Sequence, residues 1–389
     1  MKNIVFVFNP GCYPVPAING GAVEALVTNL INENEIQQQF NFHVIMCKNT
    51  NDKTNYDYSN YKYTKFYDYY QKDFNFKFDR IVNGVNKRLN YALPLYSNYE
   101  KYILSTIKSI NPDQVIFEGS LNSTVRKLRK LYGKNKLSLH VHHQMKPKYK
   151  IDKYFGNMIS CSEFVKRDWQ NSNKLSNNFN YQILNNVLTS SNFKNKTSTE
   201  EQNMLRKKLG INNDDFVVVF CGRLLEVKGV DILIKAIKDL NNKNIKLMII
   251  GESGFKNSKI TPYVEYLKNL VGEDKNVIFT GYVDNPELYK YYSLANLQVI
   301  CSICEEAAPV TAIEGCAVGL PQLITNSGGL PEYANKNAII VDKSYDLQKK
   351  LSEEIKNFYD GKYKNLNFKN QKIGTLSDYY NQFKDLMNN

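Results

Sequence analysis

The sequence predicts two α/β domains, each built on a parallel sheet with helices on both faces. Three observations predict it. Short apolar runs alternate with helical patterns along most of the chain, which is the signature of repeated strand–helix–strand units. Runs such as Phe216-Val217-Val218-Val219-Phe220 are apolar at every position, as a strand covered on both faces requires. The alternation breaks once, at residues 188–199, where a Ser/Thr/Asn-rich stretch reads as an interdomain linker. A chain of 389 residues suits two such domains better than one. The expected boundaries are residues 1–187 together with 373–389, and residues 188–372.

Taken in order, the first series of expected strands is 4–8, 42–46, 114–117, 137–141, 158–160 and 181–184. The second is 216–220, 246–250, 277–279, 297–300, 322–324 and 338–341. Helical periodicity fills most of the gaps. In residues 230–240, Val230, Leu233, Ile234 and Ile237 fall at i, i+3, i+4 and i+7. Residues 376–387 read as an amphipathic helix that crosses back to the first domain. Residues 49–75, crowded with Tyr, Asn, Asp and Lys, read as a surface insertion of low structure. A Tyr/Lys patch touching a membrane or a saccharide is the functional counterpart of that reading. In two facing α/β domains, ligands are expected at the carboxyl ends of the strands, in the cleft.

The formal net charge of +13 points to an anionic partner: nucleotide phosphates, nucleic acid or an acidic membrane face. No apolar run reaches the roughly 18 residues that a membrane-spanning helix needs. The N-terminal run 4–8 is too short for a signal peptide and is stopped by Asn9-Pro10-Gly11, so a cytoplasmic protein is expected. Seven cysteines form no regular framework. Cys301 and Cys304 make a C-x-x-C, but no second pair completes a zinc site, so reduced and mostly buried thiols are expected.

Four segments carry chemistry. Gly20 and Gly21 precede a helix, where backbone can approach an anion and unpaired N–H groups face it. The strand at 216–220 ends at Gly222, and Arg223 and Lys228 follow before the next helix. Two fixed cations at a strand exit suit a diphosphate. Glu306 and Glu314 are separated by seven residues. With Glu306 in a loop and Glu314 on the helix after it, both reach one ligand. Glu314 suits a ribose diol and Glu306 the hydroxyls and developing positive charge of a sugar. The helix start around Val310 and Thr311 aims N–H groups at an anion. Finally, His140, His142 and His143 follow a first-domain strand. With no adjacent carboxylate in the sequence, a metal is not expected there, and a histidine bordering a sugar fits better.

Together these segments resemble the retaining glycosyltransferases of family 4, which have the GT-B architecture of two facing Rossmann-like domains. Gly222-Arg223 to Lys228-Gly229 looks like that family's G-R-x(4)-K-G segment, Glu306 to Glu314 like its E-x7-E signature, and Gly328-Gly329-Leu330-Pro331-Glu332 like its G-G-x-x-E segment. Gly20, Gly21 and Glu24 look like its N-terminal loop. The order is the family's, from Gly20 to Glu332.

The resemblance implies that Gly20 and Gly21 approach the donor phosphates and that Arg223 and Lys228 neutralise the diphosphate leaving group. It implies that Glu306 touches the transferred sugar and Glu314 the ribose, and that His142 lies near the sugar, with His140 and His143 as alternatives. Val283 borders the base, and Gly222, Ala307, Val310 and Thr311 line the donor. One departure stands out. Ala308 and Pro309 occupy positions where the family has an aromatic residue and then glycine, and proline lacks an N–H.

The activity implied is transfer of a sugar from a nucleotide-diphosphate donor, UDP favoured and GDP second, to a saccharide or lipid-linked acceptor in cell-surface polysaccharide or glycan synthesis. No D-x-D occurs, so no metal and no separate cofactor are expected. The Lys-rich first half suggests peripheral contact with the inner membrane face. A nucleotide-sugar epimerase on the same architecture and a non-catalytic saccharide- or nucleotide-binding protein are the alternatives. No nucleic-acid partner is expected, because no nucleic-acid module accompanies the charge.

Overall fold

The computed structural model describes residues 1–17, 21–49, 57–71, 95–119, 122–144, 153–173, 179–254, 260–369 and 373–388, and part of 79–88. The chain divides into two units, Met1–Asn186 with Leu376–Asn389, and Val187–Thr375.

Among the described residues the first unit holds seven strands: β1 (Lys2–Val7), β2 (Phe40–Asn49), β3 (Thr64–Gln71), β4 (Gln114–Glu118), β5 (Leu137–Val141), β6 (Asn157–Ser160) and β7 (Asn180–Ile183). They pair in the order β3-β2-β1-β4-β5-β6-β7, every pair parallel. The order reverses direction between β1 and β4. At such a reversal the connections leave to opposite sides and open a crevice at the carboxyl ends of the strands. Helix Leu376–Asn388 belongs to this unit. Its Tyr379, Tyr380 and Phe383 are buried, and Phe383 packs on the rings of Phe6, Phe40 and Phe42. Lys2 Nζ donates to the carbonyl of Met387 at 2.7 Å.

The second unit holds β8 (Phe216–Cys221), β9 (Ile245–Ile250), β10 (Val277–Gly281), β11 (Leu297–Ile300), β12 (Gln322–Thr325) and β13 (Ile339–Val341). Their order is β10-β9-β8-β11-β12-β13, again parallel throughout. Here the reversal falls between β8 and β11. Alternate residues of β8 serve two separate cores: Val218 and Phe220 join one, Val217 and Val219 the other. That is why the strand must be apolar at every position. Helix Val230–Leu240 has the expected bounds and buries Val230, Leu233, Ile234 and Ile237.

Two expectations are corrected. The described part of 49–75 contains β3, an edge strand paired along its whole length with β2. Its Tyr67 stacks on His43, Tyr69 meets Tyr99 and Tyr102, and Asp68 pairs with buried Lys48 at 2.7 Å. Polar and aromatic residues are mixed on both faces, Tyr67 and Tyr69 on one and Phe66 and Asp68 on the other, so neither an apolar run nor a period of two shows in the sequence. The stretch 188–199 is not a free linker. Leu188 and Phe193 are buried in a second-unit core, and Ser191–Lys194 forms a helical turn. Two apolar anchors among polar neighbours are enough to dock it.

Candidate functional site

The Lys228 turn and the Glu306 loop are brought together by backbone. After β8, Gly222 takes φ +154° and its N–H donates to the carbonyl of Ile250 at 3.0 Å. Arg223 is exposed. Lys228 sits on the helical turn Glu226–Lys228, and Gly229, at φ +67°, opens helix Val230–Leu240. A Cβ on Gly229 would lie 2.3 Å from the carbonyl oxygen of Cys301, so the turn is pressed onto the exit of β11. The N–H groups of Ile303 and Cys304 both donate to the carbonyl of Val227, at 2.9 and 3.3 Å. The Cys301 thiol lies 3.4 and 3.3 Å from the carbonyls of Lys228 and Gly229. Burial pushes that thiol up to about 12, so it stays protonated, and Cys301 packs in a second-unit core.

This seam delivers Lys228 Nζ to Glu306 Oε1 at 2.5 Å. The Ser302 hydroxyl donates to the same oxygen. Ser302 is held in turn by the hydroxyls of Thr325 and Ser327, which donate to its carbonyl at 2.7 and 2.6 Å. The N–H of Gly329 donates to the carbonyl of Glu306 at 2.7 Å. Three segments singled out in the sequence therefore converge at the carboxyl ends of β8, β11 and β12. Ser302 was not anticipated, and Thr325 and Ser327 lie in the segment that runs to Glu332 without a role expected of them, since single hydroxyls after strands leave no sequence signal.

Glu314 lies on helix Val310–Ala317, as expected, but its carboxylate is turned into the protein. Tyr292 Oη donates to it at 3.1 Å and Asn285 Nδ2 at 3.3 Å. Burial raises its pKa to about 7. Val310 and Thr311 are the first two residues of that helix, and Pro309 precedes it in extended conformation. Ala307 is half-buried in the loop before. Val283, after β10, packs against a second-unit core.

In the first unit, Gly20 lies outside the described residues. Gly21 takes φ +93° just before helix Ala22–Gln37. A Cβ there would fall 2.2 Å from Glu24 Oε2, whose partner oxygen accepts from the N–H of Tyr13 at 2.9 Å. Glu24 thus spans the loop ahead of its own helix.

The histidines required a correction: a carboxylate does stand beside them. Glu118, the last residue of β4, pairs in register with His140 of β5. Its Oε2 lies 2.8 Å from His142 Nε2 and 3.1 Å from His140 Nδ1. Register between parallel strands, not sequence spacing, places it there. His143 is exposed. Burial pushes the Glu118 carboxyl up, but the His140 and His142 rings more than reverse this and hold it at about 2. Burial, then the neighbouring His140, lowers His142 to about 4, against the pull of Glu118, so its ring is neutral at pH 7. Among the described residues, Glu118, His140 and His142 form the group whose ligating atoms, within 4.8 Å of one another, are close enough to share a cation.

Residues 201–374 match the family described as glycosyl transferases, group 1. The match falls within the second unit and makes that unit similar to the group 1 glycosyl transferases. Arg223, Lys228, Glu306 and Glu314 all fall inside the matched residues. An uncharacterized glycosyltransferase of Methanocaldococcus jannaschii is 35% identical over 136 residues, covering 35% of this chain and 33% of its own length. A lipopolysaccharide 1,2-N-acetylglucosaminetransferase of Salmonella typhimurium is 31% identical over 140 residues, covering 34% and 36%. The chain thus spans about a third to two-fifths of the length of the curated relatives it matches. The crystal structure of Anabaena Alr3699/HepE in complex with UDP and glucose aligns over 100% of both chains with a TM-score of 0.70 at 14% identity. That likeness shows the fold: both units together are of the GT-B class. No helix among the described residues is long and apolar enough to cross a membrane.

Proposed function

We propose that the chain is a retaining glycosyltransferase that moves a sugar from a nucleotide-diphosphate donor, UDP-linked before GDP-linked, to a saccharide or lipid-linked acceptor. The observation that carries the reading is the meeting of Lys228 and Glu306 at the sheet reversal of a group 1 domain. A cation for a leaving diphosphate and a carboxylate for sugar hydroxyls are the two charges this reaction needs side by side. The complex of the HepE structure with UDP and glucose is in keeping with it.

In this reading Arg223 and Lys228 neutralise the departing diphosphate, and the first N–H groups of helix Val310–Ala317 add to that field. Glu306 holds the transferred sugar, and Glu314 turns from Tyr292 and Asn285 to the ribose. Side-chain cations and helix N–H groups do the work of a metal. The acceptor hydroxyl attacks the face the leaving group departs from, and the anomeric configuration is retained. The activity named for the Salmonella relative supports a place in the assembly of cell-surface glycans. The basic run Arg126, Lys127, Arg129, Lys130, Lys134 and Lys136 supports peripheral contact with an anionic leaflet.

The test is a thermal-shift screen of UDP-, GDP- and ADP-sugars with and without EDTA, followed by anomeric analysis of the product. A tight donor raises the apparent melting temperature. One donor is expected to do so in wild type with EDTA present, and to lose the effect in Lys228→Ala. If no nucleotide sugar stabilises the protein, the reading falls.

A further inference from the structure

The Glu118–His140–His142 cluster is built at the reversal of the first sheet, and the donor grip described above makes no use of Glu118. An ionised carboxylate accepts hydrogen bonds and donates none. Both rings must therefore present N–H to it: His140 through Nδ1 and His142 through Nε2. A second observation agrees for His140. His140 Nε2 is buried without a hydrogen-bond partner. A bare lone pair tolerates that position better than an N–H donor would. The two rings pack at 4.0 Å between centroids, so neither can turn without moving the other.

We propose that Glu118 is the positioning residue of His142: by accepting a hydrogen bond from Nε2–H it locks the neutral ring as the Nε2–H tautomer and reserves Nδ1 as an acceptor for a saccharide hydroxyl. The hydroxyl contact rests on the glycosyl-transfer reading; the tautomer does not. A neutral imidazole has one donor and one acceptor nitrogen, and whichever partner claims the proton decides what the other nitrogen can do. His140 braces the arrangement from the adjacent register position. The 2.8 and 3.1 Å contacts leave the carboxylate committed to two N–H donors, which is the function we assign in place of cation binding.

The chain has four histidines, so ring nitrogens can be resolved by NMR in the full-length protein with labelled histidine, using His142→Ala for assignment. At pH 7 the wild-type His142 ring is expected neutral, with the proton on Nε2. In Glu118→Gln an amide N–H₂ replaces one acceptor oxygen, so the tautomer populations of His142 or His140 should shift. Transfer should slow about 10- to 100-fold with little change in donor KM, the size of one charged hydrogen bond. Glu118→Gln/His142→Ala should be no slower than His142→Ala alone, since the glutamate acts through the ring.

A wild-type His142 protonated on Nδ1, or on both nitrogens at pH 7, overturns the proposal without any variant having to fold. So does a stoichiometric shift of both rings on adding zinc chloride, which would mark a metal centre. A His142→Ala enzyme that transfers at the wild-type rate overturns the hydroxyl contact, and leaves the donor grip of Arg223 and Lys228 untouched.

Discussion

Replacing Glu306 by glutamine should move donor binding and donor turnover in opposite directions. Lys228 is already engaged: its ammonium donates to Glu306 at 2.5 Å, with side chains 20% and 12% exposed. A diphosphate must compete for that ammonium and approach a carboxylate. Exposed pairs are worth about 0–1 kcal/mol, and breaking buried ones costs about 3–5 kcal/mol. A pair this largely covered lies between the two ranges, but the glutamine oxygen can still accept from Lys228, so only part of its worth, about 1 kcal/mol, is released for the ligand when the charge is removed. That is about a fivefold tighter Kd for UDP. Turnover falls instead, because a charged hydrogen bond of about 1.5–3 kcal/mol to the transferred sugar is lost, or about 10- to 150-fold in rate. Isothermal titration with UDP at low and high salt, paired with initial rates on the UDP-sugar, measures both. The gain in affinity should shrink as salt screens the pair. Weaker or unchanged UDP binding by Glu306→Gln would refute the competition between the carboxylate and the diphosphate.

Arg223→Ala should slow transfer about 10- to 150-fold with the fold intact, measured as kcat/KM beside a melting curve. Glu314 carries a pKa raised from 4.5 to about 7, so nucleotide affinity should strengthen as pH rises from 6 to 8, and that slope should vanish in Glu314→Gln. The same raised value favours the folded state most below pH 4.5, and that contribution is lost as pH climbs through 7. Glu314→Gln should therefore gain stability relative to wild type between pH 5 and 8 in urea titrations. Gly315→Ala should destabilise the second unit. Its Cβ would fall 1.8 Å from Gln298 Oε1, which accepts from Gln322 Nε2 at 2.6 Å in a buried amide pair. A cost of about 2–4 kcal/mol follows from a broken buried hydrogen bond and overpacking, less about 1 kcal/mol of helix propensity gained, and it reads as a lowered melting temperature.

The sequence made legible whatever is written in consecutive residues. The apolar run of β8 announces a doubly covered strand, and helix Val230–Leu240 shows its period without ambiguity. Lys228 and Glu306 could be named because each follows a strand in a recurring local pattern. Their contact could not, because it depends on a backbone seam joining residues 72 or more positions apart. Glu118 was invisible for the same reason: only strand register sets it beside His140 and His142. The edge strand Thr64–Gln71 was hidden differently, by polar and aromatic residues mixed on both of its faces. Its Thr, Phe and Tyr were nonetheless ordinary strand formers. Leu188 and Phe193 show how little apolar content suffices to dock a polar segment.

The seam between the Lys228 turn and the strand that ends before Cys301 bears on how such an enzyme could be watched. Its two loops cannot part without uncovering a sulfur atom that is fully shielded while they hold together. An alkylating reagent thus becomes a stopwatch. The pace at which it marks Cys301 reports how often the two charged loops come apart, and a bound nucleotide that clasps both should slow the clock.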